Sequence, residues 1–352
     1  MLPAAPARIQ GRTRVPARRT LPTTSALLTT ALLLAGCSTS PGSDRDPGKS
    51  FAELPNCGHR VVVEEPPRRA VSTNQSTTEI MLSLGLQDRM VGSATWTDPV
   101  DPDLAAANEQ VPVLTQNTPS FEGVLETEPD IVLGAYQAVF TEGSVATRER
   151  FDQLGVPTYL SPSNCLPEEA PLSEPVELHD IYREVRDIAA LFGFPERGER
   201  LIGQLQQRVS AAQNKVDGLD LPADTSVLFW FARTQSPYVA GGTGAPALMA
   251  RTLGVRSTYA DEPGMWPQIG WEDILRRNPD LLVLGDLTRD SEGDSLAAKK
   301  HFLRADPAAG QLDAARGQRW LPMTGTALNV SLQTIDGIEQ LADALVELDR
   351  KR

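Results

Sequence analysis

The chain writes one segment twice. Phe121 to Gly134 reads FEGVLETEPDIVLG, and 150 residues after its start Trp271 to Gly285 reads WEDILRRNPDLLVLG. Glu122, Leu125, Pro129 and Asp130 recur as Glu272, Leu275, Pro279 and Asp280, and an aromatic residue opens each copy. Each copy pairs a short helical pattern with an apolar run, a helix that feeds a strand. Proline ends the helix, because the residue before it is pushed away from helical angles. The aspartate after it can bond the nearby backbone. Such a unit, used twice in 352 residues, predicts two similar lobes rather than one core.

The rest of the chain follows the same plan. In the first half, TTEIMLSLGL has helical spacing and ends at Gly85; DRMVGSA and DIVLGAY read as strands, ATRERFDQLG as a helix and VPTYLSP as a strand. TSVLFWFA, SPYVAG, GAPALMARTLGV, DLLVLGD, RWLPM and the closing LQTIDGIEQLADALVEL repeat the alternation. Strands interleaved with helices imply α/β lobes of the Rossmann-like kind, each a parallel sheet covered on both faces. Between the halves, PERGERLIGQLQQRVSAAQNKV carries Leu201, Ile202, Leu205, Val209, Ala212 and Val216 on one stripe. Pro195 suits its start and Gly218 its end. This is a long backbone helix joining the lobes. The expected divisions are 1–36, 37–55 as a tether rich in Ser, Pro, Gly and Asp, 56–175 as the N-terminal lobe, 176–218 as linking helices and 219–352 as the C-terminal lobe. HRVVVEEPPRRAVST reads as two short strands flanking a Glu-Glu-Pro-Pro turn.

Residues 1–36 contain Arg8, Arg12, Arg14, Arg18 and Arg19 without an acid, then an apolar run and LAGC ending at Cys37. The run falls short of the ~20 residues that span a bilayer. A cleaved secretory signal with a lipobox, lipidated at Cys37, fits better than a retained membrane helix. Its removal takes the formal charge from −13 to −18. So acidic a chain is a poor partner for nucleic acid, whose phosphates need clustered Lys and Arg. Outside the cell, Cys57 and Cys165 remain as an even pair, which predicts a disulfide, with two buried thiols as the alternative.

A duplicated α/β plan leaves a ligand crevice between the lobes, at the carboxyl ends of the strands. Loops after strands place Asn74, Gln75, Trp96, Tyr136, Gln137, Arg233 and Asn329 there. Aromatic faces mixed with amides suit a large planar or chelated ligand. Each aromatic also fits core packing, and Arg233 an ordinary surface position.

Together, the lipobox, the strand pair, STTEIMLSLGL, EPDIVLG, the central helix, WPQIGWEDIL and NPDLLVL resemble the helical-backbone substrate-binding proteins of ABC importers. The likeness covers roughly residues 57 to 349. It implies a lipid-anchored extracytoplasmic monomer, not an enzyme, which passes a ferric siderophore, haem or cobalamin to a permease. The resemblance places Trp266 at an aromatic cleft position. It makes Glu79 and Glu272 exposed lobe-tip carboxylates that dock the importer, where charge steers encounter and orientation. Glu122, the repeat partner of Glu272, competes with Glu79, and Glu79 is preferred. Taken alone, each carboxylate is better read as a solvated helix position near a favourable N-terminus. TGTALNVSLQ lacks the Arg that relatives often carry, so the ligand stays open. The NCG and SNC cysteines and NQSTTEIML are most similar to an actinobacterial branch, which adds a precursor of the deazaflavin F420 as an alternative ligand. A bare metal would need clustered ligands, yet His59, His179 and His301 are scattered. An exported enzyme would need a catalytic motif, and neither a GxSxG elbow nor a complete phosphate loop is present.

Overall fold

The computed structural model describes residues 50–165, 174–288 and 291–351. Residues 1–36 and Cys37 therefore lie outside the described residues. So does most of the tether. Two strands open the described residues, β1 (Ala52–Asn56) and β2 (His59–Val63), paired antiparallel about Cys57-Gly58. The N-terminal lobe continues with β3 (Ala70–Ser72), α1 (Gln75–Ser83), β4 (Met90–Ala94), α2 (Ala105–Asn108) and β5 (Val113–Thr115). It closes with α3 (Phe121–Leu125), β6 (Ile131–Gly134), α4 (Arg148–Asp152) and β7 (Thr158–Leu160). Its sheet is parallel, in the order β5-β4-β3-β6-β7.

Two linking helices follow, α5 (Leu178–Leu191) and α6 (Pro195–Val216). Beyond them are β8 (Ser226–Ala232), β9 (Tyr238–Val239), α7 (Ala245–Thr252), β10 (Arg256–Ser257), α8 (Trp271–Arg277), β11 (Leu281–Asp286), α9 (Leu296–Ala305), α10 (Asp313–Arg316), β12 (Trp320–Thr324), α11 (Gly325–Leu328) and α12 (Gln333–Arg350). β10-β8-β11-β12 are parallel, and β9 pairs antiparallel with β8.

The duplicated segment does the same work in both lobes. It supplies α3 with β6 in one and α8 with β11 in the other. Glu128 and Asn278, each before the proline, adopt left-handed angles, with φ of 47° and 40°. Pro129 and Pro279 are buried. The aspartates bond backbone, but on a neighbouring segment rather than their own turn: Asp130 accepts from the amides of Arg68 at 2.6 Å and Arg69 at 2.9 Å, and Asp280 from the amide of Ser226 at 2.9 Å. Each one anchors the entry to the strand beside its own. Phe121 and Trp271 pack edge-on against Phe151 and Trp230, with ring centroids 5.3 and 5.0 Å apart.

The first hairpin differs from expectation. β2 pairs with β1 and not with β3, so the Glu-Glu-Pro-Pro stretch is a connection into the sheet. The first strand among the described residues, β1, falls within the expected tether. Asn56 explains why. Its side-chain amide donates to Leu160 O at 2.7 Å and accepts from Leu160 N at 2.8 Å, completing the edge strand β7. Arg148, itself buried, bonds Asn56 and Thr158. A Cys57–Cys165 disulfide, with Cα atoms 4.9 Å apart, fastens the hairpin to the segment leaving β7.

α6 is about 33 Å long and reaches both lobes. Near its start, Arg197 donates to Leu84 O at 3.0 Å and Gly85 O at 3.1 Å, the carbonyls that end α1. Further along, Arg208 grips Glu339 with two bonds, at 3.0 and 2.6 Å, and also Asp336, while Lys215 meets Asp343 at 2.6 Å, all on α12. Gly198 lets α5 approach, since a Cβ there would lie 2.7 Å from the Cβ of Ala189. Gly203 on the same helix has open space around the equivalent position. We expect Gly198→Val to lower stability by about 1–3 kcal/mol through overpacking, and Gly203→Ala to raise it by about 0.5–1 kcal/mol. Urea midpoints that move alike for the two variants would contradict this helix crossing.

Candidate functional site

The ends of β3, β4, β6 and β12 bring their following residues to one place. Asn74 and Gln75 follow β3, Thr95 and Thr97 follow β4, Tyr136 follows β6, and Asn329 ends α11. With Ser76, Thr326 and Ser331 they line a pocket of about 30 Å³. Four expected cleft residues, Asn74, Gln75, Tyr136 and Asn329, are thereby brought together from both lobes. Asn329 sits at the C-terminal cap of a short helix rather than in a loop, with its amide donating to Gly325 O at 2.8 Å.

Polar bonds close the seam between the lobes here. Asp98, buried, accepts from both the amide and the hydroxyl of Thr326 at 2.6 Å. The hydroxyls of Thr97 and Thr326 lie 3.1 Å apart, and Thr288 donates to Thr97 O. Gln75 holds the N-terminal side in place: its carbonyl oxygen accepts from Thr97 N at 3.1 Å and Asp98 N at 3.0 Å.

Glu79 corrects the expectation of an exposed docking carboxylate. It is 1% exposed. Gln75 donates to it at 2.9 Å, and Gln333 of α12 donates to both of its oxygens at 2.9 and 3.1 Å. The polar side of α1 is not a solvent face, because the other lobe covers it. Burial pushes the Glu79 carboxyl up to about 7, against the opposing effect of Gln75 and Gln333. Glu272 is exposed on α8, and Glu122 is exposed at the matching place on α3.

Glu184 on α5 was not among the expected site residues. It is buried, and one oxygen accepts from Ser161 at 2.6 Å while the other has no hydrogen-bond partner. Burial pushes it up to about 7 as well. Tyr136 is 36% exposed as a residue, yet crowding around its hydroxyl, with the charges of Glu184 and Asp98, pushes the phenol up to about 12. In sequence, YREVRD looks like a solvated helix face, and nothing there singles out Glu184.

Four expected residues are not in the pocket. Trp96 is half-buried and bonds Ser93 through its indole nitrogen at 3.4 Å. Trp266 stacks on Phe231 with centroids 4.3 Å apart and packs against the core. Arg233, exposed over the Tyr238 ring at 5.2 Å, borders a separate open cavity of about 640 Å³ with Gln268 and Glu292. Gln137 lines a third cavity of about 580 Å³, beside the disulfide.

The raised carboxyls give a pH dependence with a definite sign. A carboxyl whose folded pKa exceeds its unfolded value binds more protons when folded, so stability falls as pH rises from about 4.5 to about 7. Glu79→Gln should flatten that fall measurably. Equal slopes of denaturation free energy against pH for the wild type and the variant would rule out a raised pKa at Glu79.

The model of the family described as periplasmic binding protein matches residues 71–320. A vitamin B12-binding protein of Pectobacterium carotovorum is 23% identical over 275 residues, covering 76% of this chain and 87% of that protein. A periplasmic binding protein from Veillonella parvula superposes with a TM-score of 0.74 at 22% identity, over 85% of this chain and 99% of that one. A protein of an ABC-type Fe3+-hydroxamate transport system from Saccharomonospora viridis does so with a TM-score of 0.68 at 23% identity, over 84% and 98%. By its repeated lobes and the matched family model, the chain belongs to the periplasmic binding protein family.

Proposed function

We propose that the chain is the extracytoplasmic solute-binding subunit of an ABC importer, lipid-anchored through Cys37, that captures a metal chelate or large cofactor and delivers it to a permease. A ferric siderophore is the first choice of ligand, ahead of cobalamin or haem. The carrying observation is the pocket lined from both lobes at the carboxyl ends of their strands. The names of similar proteins, one for vitamin B12 and one for Fe3+-hydroxamate, support the ligand class.

As it stands the pocket holds no more than a water or two. A ligand of chelate size enters by parting the Asp98–Thr326, Thr97–Thr326 and Glu79–Gln333 contacts. These are polar pairs, which exchange for water or ligand at modest net cost. Docking falls to Glu122 and Glu272, the exposed carboxylates that the repeat puts at equivalent places.

Tryptophan fluorescence tests the capture. We expect saturable quenching by one of a ferric siderophore, haem, a corrinoid or a deazaflavin, after correction for ligand absorbance. Flat traces with all four would sink this ligand class. The double variant Glu122→Ala with Glu272→Ala should keep ligand affinity while weakening permease docking by about tenfold or more. Unchanged docking would remove these carboxylates from the interface.

A further inference from the structure

The pocket holds hydrogen-bond donors that the protein itself leaves unused. Ser76 is 7% exposed, lines the pocket, and its hydroxyl has no hydrogen-bond partner. A buried polar group left so costs about 1–3 kcal/mol, a cost that a partner from outside the chain would remove. Ser76 is the second residue of α1, whose start lacks a side-chain cap: the side-chain Oδ1 of Asn74 accepts from Ala135 N at 2.9 Å instead. Gln75 N donates to Thr95 O at 3.3 Å. The amides of Ser76 and Thr77 lie in the first turn, where no helical carbonyl precedes them. The positive end of the helix thus lies among the residues that line the pocket.

The other lining groups agree. With its oxygen engaged, Asn74 has its amide nitrogen to offer. Gln75, Thr97 and Thr326 already satisfy one another or Asp98. Neither Asp98 nor Glu79 lines the pocket, and both carboxylates are held by donors. Donors and a helix dipole, with no cation, suit an oxygen anion bound by backbone and hydroxyl.

We infer that the open first turn of α1, with the Ser76 hydroxyl, seats one oxyanion group of the captured ligand, a carboxylate or a phosphate. The inference rests on the solute-binding reading and narrows its ligand class to molecules that carry such a group at one end. The remainder of the ligand lies outward between the lobes.

The test titrates the full chain with inorganic phosphate and, separately, with acetate, and follows the backbone amide signals of Ser76 and Thr77. Saturable shifts at these amides are expected with at least one anion. Phosphate alone would point to a phosphorylated ligand, and acetate alone to a carboxylate. Ser76→Asp places a fixed charge in the seat, and its thermal midpoint is followed beside the wild type to establish that the variant is folded. Its anion affinity should fall by about tenfold or more. Silence of both amides with both anions, or wild-type affinity in Ser76→Asp, overturns the seat. A chelate or cofactor that quenches wild type and Ser76→Asp equally would preserve the solute-binding reading and remove only the seat. Phosphate shifts at Ser76 alongside flat chelate and cofactor traces would keep the seat and remove that ligand class.

Discussion

One helix, α6, sets the relation between the two halves. Its Arg197 holds the carbonyls that end α1 in the first lobe, and its Arg208 and Lys215 hold α12 in the second. A hydrogen-bonded rod kinks only where something interrupts its ladder, so α6 limits how far the lobes can part. The seam at Asp98 and Thr326 depends on that limit, because two side chains from segments 228 residues apart must meet within bonding distance.

Much of this was legible in the sequence because it rests on local pattern. The repeated helix-to-strand unit, the stripe along α6 and the alternation of strands and helices are each set by residues a few positions apart. The hairpin was not legible. Ala52–Asn56 contains a proline and has little apolar alternation, and it is a strand because β2 and the edge of β7 accept it. Edge strands tolerate such residues. The aspartates of the repeat show the same limit on a smaller scale. Their importance was visible, but their partners, 61 and 54 residues away, were not.

At the site the division is sharper. Rules about loops after strands located Asn74, Gln75, Tyr136 and Asn329, since position at a strand's carboxyl end is a property of topology. They misplaced Arg233, which borders another cavity, while the resemblance misplaced Trp266, whose ring is taken by Phe231. Glu79 failed for a reason that periodicity cannot detect: a helix's own sequence shows which face is polar, not what a segment 254 residues later lays over it. Ser76 and Glu184 were silent for the same reason, one in a run of small polar residues and the other on an apparently wet face.

The hairpin also imposes an order on assembly. It comes early in the chain, yet its seat, the free edge of β7, is made by residues about a hundred positions later. Until Leu160 is in place, Asn56 has no strand to complete and Cys57 has no partner. Contacts of such long separation close late, because the loop entropy comes before any bond rewards it. Once closed, the Asn56 amide occupies hydrogen-bonding groups of Leu160 that an open edge would offer to a second chain. The disulfide then keeps that guard on the sheet's flank, so this edge of the sheet is protected from strand-to-strand association by the β1–β2 hairpin.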